Sequence, residues 1–249
     1  MEIEPGDLPY SQQYFPYGSF ELISYQQNPA VMQYMGGHDT FVQPELFFSG
    51  QFTRPFLLHF NKPCKCFGIS FWPWTGNILS NLPAADFTDR MIPLHVLDKN
   101  ELLSARLTVA ENNEEIFGLL EEYILLKART GIAEGMCAQL TKSVMATQSR
   151  KDTGDLIRGI GLSRRRIEQL FLQSSGLTIG SFVGKIRFQK AVSLLQQKHT
   201  SLSFTNIGYE AGYYDQSHFI RGFKKYAGLT PSAFINQSTA LHHFIGSLI

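Results

Sequence analysis

At 249 residues, with 43% hydrophobic and 17% charged residues, the chain exceeds the usual size of one domain and has the composition of a soluble globular protein. It has no run of 18 apolar residues, and its start, MEIEPGDLPYSQQYF, is acidic and proline-bearing, which argues against a membrane helix or a signal peptide and makes the cytoplasm the expected location. The net charge of +1 divides unevenly: residues 1–130 hold eight Lys and Arg against 15 Asp and Glu, whereas residues 131–249 hold 14 against six, so a polyanion is expected to meet the C-terminal part.

In chain order, the first hundred residues read as strands. FELISY, ELFFSG, FLLHF and FGISFW are short apolar or alternating runs separated by Pro, Gly and Asn. Their spacing predicts a small antiparallel sandwich or barrel. Cys64, Cys66 and Cys137 are odd in number and contain no C-x-x-C pair, so neither a disulfide framework nor a four-thiolate zinc site is expected. Cys64 and Cys66, two apart, share one face of a strand. His38, His59 and His95 are dispersed and lack an H-x-H element, so they read as surface or hydrogen-bonded histidines, and no metal site is assigned. Phe67, Phe71, Trp72 and Trp74 read as core. No catalytic residue, cofactor or cofactor site is assigned, because no Ser/His/Asp set, phosphate loop or carboxylate pair stands out. Helices are expected around 99–109 and 114–128, the second packing through Ile116, Leu119, Leu120, Tyr123 and either Leu126 or Lys127.

The C-terminal part repeats itself. At an offset of 52, Phe171 pairs with Phe223, Gly176 with Gly228, Leu177 with Leu229, Thr178 with Thr230 and Phe182 with Phe234. Gly161 pairs with Gly212 at an offset of 51, so the second turn is longer by one residue. Each copy reads as helix, glycine turn, helix. In the first, Ser163 caps a helix that turns Ile167, Leu170, Phe171 and Ser174 inward and shows Arg165 and Gln169 outward, flanked by Arg164, Glu168 and Arg166. In the second, Ser203 or Thr205 caps a short helix and Asp215 caps the next, with Phe219, Phe223 and Tyr226 inward. Its outward face carries Ser217, Arg221 and Lys224, with Gln216 and Ile220 on one flank and Lys225 on the other. Arg, Gln and Glu have defined partners on the edges of guanine, adenine and cytosine. A proline-free stretch, 178–198, predicts one long connecting helix of roughly 21 residues, ~30 Å, close to one turn of B-DNA at ~34 Å.

The segments GLSRRRIEQLFLQSSGLTIGSFVGKIRFQKAVSLL and LSFTNIGYEAGYYDQSHFIRGFKKYAGLTPSAF resemble the DNA-binding domain of the AraC/XylS family of bacterial transcription regulators, over residues 153–236. Three positions depart from the family pattern: Gly208 stands where alanine is usual, Tyr213 where phenylalanine is common, and Leu172 where a base is usual. The resemblance implies base-reading roles for Arg165, Glu168 and Gln169, and for Gln216, Ser217, Ile220 and Arg221. FPYGSFELI, FSGQFTRP and the stretch beginning FGISFWPW are similar to an uncharacterised domain attached to such readers, a position where the family usually has a cupin-like effector-binding or dimerisation domain.

The expected fold is therefore α+β, with a cupin-like β-barrel or sandwich and following helices in residues 1–130, then two helix-turn-helix motifs joined by a long helix in residues 131–249. The expected function is sequence-specific DNA-binding regulation with activation as its sign. The alternative is a metal- or ligand-dependent enzyme or sensor in the barrel that the C-terminal module targets to DNA. The expected DNA contacts are Ser163, Arg164, Arg165, Arg166, Glu168 and Gln169 in the first motif. In the second they are Asp215, Gln216, Ser217, Ile220, Arg221, Lys224 and Lys225. Double-stranded DNA is the expected partner, no membrane is, and the resemblance adds RNA polymerase, a small-molecule effector and a second copy of the chain.

Overall fold

A computed structural model describes residues 1–76, 82–98, 102–131, 135–146, 153–158, 160–196 and 202–236. The strands are β1 (Glu2–Ile3), β2 (Tyr10–Tyr14), β3 (Phe20–Gln27), β4 (Val31–Tyr34), β5 (Thr40–Val42), β6 (Leu46–Ser49), β7 (Phe56–Phe60), β8 (Cys64–Phe71) and β9 (Met91–Pro93). They form two antiparallel sheets, ordered β1-β8-β3-β6-β9 and β2-β7-β4-β5, so the N-terminal half is a sandwich. The helices that follow are α1 (Leu94–Leu97), α2 (Leu102–Val109) and α3 (Asn113–Gly131).

Strand β3 explains the layering. Its even side chains Phe20 and Leu22 are fully buried against Leu103, Leu107, Ile116, Leu119 and Leu120 of α2 and α3. Its odd residues face the other way, where Tyr25 packs with Phe47 and Phe60 between the sheets. Cys64 and Cys66 join this second core, on the shared face expected of them. On α3 the inward stripe ends at Lys127, whose Nζ pairs with Asp98 at 2.8 Å, and Leu126 remains exposed. Residues 99–101 of the helix expected at 99–109 lie outside the described residues. Phe67 and Phe71 are buried, but Trp72 is not core: it is 47% exposed and stacks on Trp74 with ring centroids 5.0 Å apart. His59 hydrogen-bonds Ser11 at 2.8 Å and Gln33 at 3.2 Å.

The C-terminal half is helical: α4 (Met136–Ala146), α5 (Thr153–Ile157), α6 (Arg164–Ser175), α7 (Ile179–Gln196), α8 (Phe204–Glu210), α9 (Gln216–Ala227) and α10 (Pro231–Asn236). The connecting helix α7 is continuous over 18 residues, about 27 Å. Residues 197 and 198, expected at its end, lie outside the described residues. It is buried nearly all round, with Phe182, Val183 and Ile186 in one core and Phe188, Ala191 and Val192 in another. The first core holds the α6 motif and the second the α9 motif, so α7 is the shared beam of the repeat.

The halves are bonded to each other. Phe15 sits in the α9 core, 5.8 Å from both Phe188 and Phe234. Gln13 Nε2 donates to Ala227 O at 2.7 Å, and Thr88 Oγ1 donates to Gly176 O at 2.6 Å. Thus the N-terminal half grips the same place in each repeat, the end of α6 and the end of α9. From α7, Lys185 Nζ donates to Phe52 O and Gln189 Nε2 to Tyr17 O, both at 2.5 Å. Gly176 permits the approach: its φ of +72° is left-handed, and a Cβ there would lie 2.8 Å from Ala84 O.

Candidate nucleic-acid interface

Each outward helix is built by the same local rules. Ser163 Oγ accepts from Arg166 N at 3.3 Å to start α6, and Asp215 Oδ1 accepts from His218 N at 2.6 Å to start α9. Both helices end on left-handed glycines, Gly176 and Gly228, whose N–H bonds return to Leu172 and Lys224. The preceding helix α8 is capped by Ser203, whose Oγ accepts from Asn206 N at 3.2 Å.

The inward stripes aim the outward ones. Ile167 and Phe171 are buried on α6, as are Phe219, Phe223 and Tyr226 on α9. The Phe223 ring lies 5.1 Å from Phe188, 5.4 Å from Phe234 and 5.8 Å from Phe219, which fixes the rotation of α9 about its axis. Two departures from the family pattern fit here. Gly208 allows α8 to touch α9, since a Cβ would lie 3.0 Å from that of Phe219. Tyr213 packs across Gly222, where a Cβ would lie 2.6 Å from the tyrosine ring. Leu172 is 38% exposed.

Opposite these stripes, Arg164, Arg165, Arg166, Glu168 and Gln169 are exposed on α6, and Gln216, Ser217, Arg221, Lys224 and Lys225 on α9, with Ile220 half-buried. Several are already engaged. Arg164 Nε bonds Glu168 Oε1 at 2.9 Å, Arg166 Nη1 bonds Gln169 Oε1 at 3.2 Å, and Gln216 Oε1 accepts from Thr205 Oγ1 at 3.2 Å. Arg165 has no ion pair among the described residues. Ser163 and Asp215 commit their side-chain oxygens to the caps. Lys225 holds its Nζ 5.1 Å over the Tyr226 ring, and its charge is close enough to act on Lys185.

The first turn of α6 holds three arginines and no acid, against the helix dipole, which favours anions at that end. An anion docked there relieves both. Sequence reading missed Leu162 and Tyr214, 47% and 84% exposed, which precede the N-cap of each outward helix. The signal was present, since both are apolar residues at matching positions of the repeat. It also missed Gln13, Thr88, Lys185 and Gln189.

Comparison with known proteins adds two domain matches: a helix-turn-helix domain over residues 156–237 and a domain of unknown function, DUF6597, over residues 1–93. The probable transcription factor PqrA of Proteus vulgaris is 31% identical over 99 residues, 38% of this chain and 80% of that protein. The Msm operon regulatory protein of Streptococcus mutans is 28% identical over 138 residues, covering 54% of this chain and 48% of that one. Several of the curated relatives are spanned over half of their length or less. A crystal structure of ToxT from Vibrio cholerae, with an unsaturated fatty acid bound, aligns over 93% of this chain and 95% of that one, with a TM-score of 0.50 and 12% identity. Its likeness extends through both halves, so the whole architecture is shared.

Proposed function

The chain belongs to the AraC family of helix-turn-helix proteins, and on that premise we propose that it is a sequence-specific transcription regulator whose helices α6 and α9 enter two successive major-groove segments of double-stranded DNA. One observation carries this reading: two capped helices at repeat-equivalent positions expose polar and cationic faces, and a single buried helix, α7, ties their cores together. At about 27 Å, α7 approaches the ~34 Å turn of B-DNA. Arg165, Glu168, Gln169, Gln216, Ser217, Ile220 and Arg221 are the proposed base readers. Arg164, Arg166, Lys224 and Lys225, with the capped starts at Ser163 and Asp215, are the proposed phosphate contacts. The N-terminal half is assigned an effector and a role in pairing with a second copy, and the regulator acts in the cytoplasm.

Activation through RNA polymerase is the proposed sign, in line with the name of the relative RhaR, a transcriptional activator, in Cronobacter sakazakii. No reaction is assigned to the chain. Chemistry in the N-terminal half has less support, since His59 is held by Ser11 and Gln33 and the curated relatives are regulators. The test is footprinting of the full-length protein on genomic fragments it retains. Two protected major-groove segments about one turn apart on one face are expected. Protection of a single segment, or equal affinity for random DNA, would overturn the proposal.

A further inference from the structure

Between the two sheets lies a cavity of about 400 Å³, within the range of small-molecule sites. Its walls are mostly apolar, with Ile23 and Phe47 on one side and Phe52, Phe56 and Leu58 on the other. Tyr14 stacks on Phe56 at 4.6 Å and Phe52 packs against Phe56 at 4.8 Å, so one wall is a continuous aromatic surface. Glu21 lines this space and is the one acid among the described lining residues. Its Oε1 accepts from Tyr14 Oη at 2.6 Å. Its neighbours across the sheet are Ser49 and Ser70, too small to fill the room beside the carboxyl.

Burial pushes the Glu21 carboxyl above the usual carboxylate range, against the hydrogen bonds from Tyr14 and Ser19. No Lys, Arg or His is among the described lining residues; the α-amino group of Met1 is exposed and donates to Cys66 O at 2.8 Å. Among the described lining residues an anion would find one cation, the Met1 α-amino group already bonded to Cys66 O, and would face the Glu21 carboxyl. An ammonium would find a carboxylate to pair with and aromatic faces to lie against.

We propose that this cavity binds a small apolar amine, its ammonium held by Glu21 beside Tyr14 and its hydrocarbon body by the aromatic wall, and that the site rejects carboxylates. The role of this ligand as effector rests on the regulator reading above. The walls give it a route to the DNA-binding half. Tyr14 follows Gln13, which holds Ala227 at the end of α9. Phe52 supplies the carbonyl that receives Lys185, and Tyr14 packs edge-on against Tyr17, whose carbonyl receives Gln189. A ligand that shifts Tyr14 or Phe52 therefore moves bonds that position α7 and α9.

The experiment is calorimetric titration of the full-length protein with 2-phenylethylamine, and with 2-phenylethanol and phenylacetate as matched controls. The amine is expected to bind about tenfold or more tightly than either control, as a charge-assisted hydrogen bond in a buried site predicts. Glu21→Gln should remove that preference. Gly68→Leu, which fills the β8 wall where the present neighbours are at ordinary contact distance, should abolish binding of all three in a protein that retains its circular dichroism. Phenylacetate binding as tightly as the amine, or amine affinity unchanged in both variants, overturns the proposal. Affinity for a retained DNA fragment, measured with and without the amine, separates the two readings. Specific DNA binding that ignores the amine sinks the effector role and leaves the regulator standing, whereas amine binding without DNA binding sinks the regulator alone.

Discussion

Replacing Lys185 by methionine should stabilise the protein at neutral pH and reverse that gain in alkali. Lys185 is fully buried, and burial lowers its ammonium from 10.5 to about 7, with Asp89 opposing the shift and Lys225 adding to it. The unfolded lysine therefore binds a proton over a pH range where the folded one does not. Between pH 7 and 10.5 wild-type stability rises with pH; below 7 both states are protonated and the full penalty is present; above 10.5 it vanishes. The gap between the two values corresponds to about 5 kcal/mol, at 1.36 kcal/mol per tenfold. Methionine conserves most of the volume but leaves Phe52 O without its donor, a cost of about 1 to 3 kcal/mol. Lys185→Met should thus be about 2 to 4 kcal/mol more stable at pH 7 and less stable above about pH 9, where the two curves cross. Urea unfolding of both full-length proteins from pH 6 to 10 measures this. The buried tyrosines, whose hydroxyls burial pushes up, titrate in both proteins and cancel in the difference. A difference that is flat across that range, or a variant less stable at pH 7, would refute the reasoning.

Arg221→Ala should cost about 1 to 3 kcal/mol in DNA affinity and relax one base position, measured by binding to a set of single-base operator variants. Phe223→Ala, which empties a fully buried site among Phe188, Phe219 and Phe234, should cost roughly 3 to 5 kcal/mol in urea unfolding. Gly176→Ala places a Cβ at a left-handed position 2.8 Å from Ala84 O, so a loss on the order of 2 kcal/mol or more is expected in the same assay. Thr88→Val removes the bond to Gly176 O and should cost about 1 kcal/mol of stability, with a loosened contact between the halves read by hydrogen exchange at Gly176 to Thr178.

The local rules were legible in the chain itself. Helices α6 and α9 follow from caps at Ser163 and Asp215, apolar residues three and four apart, and glycines at 176 and 228, all of which act within a few residues. Their outward faces follow from the inward ones, and the repeat made each copy a check on the other. Strands β3, β6, β7 and β8 were visible for the same reason, whereas β1, β2, β4, β5 and β9 were not read from the sequence. FELISY alternates, and alternation is a property of one strand.

What covers each face is a different matter, because it depends on chain segments far away. Glu21 is the one acid of FELISY, and only the second sheet turns it into the acid of a cavity between the sheets. Trp72 reads as core and is exposed, since its strand ends where the cover does. Lys185 in an apolar helix has no local explanation: its partner is the carbonyl of Phe52, 133 residues away, and Gln13 and Ala227 are separated by 214. Periodicity tells which side of an element is turned inward, because that is set by backbone geometry. It does not tell what lies on the other side of the contact, because a single polar side chain bonded to a distant backbone carbonyl leaves no repeating pattern in the sequence.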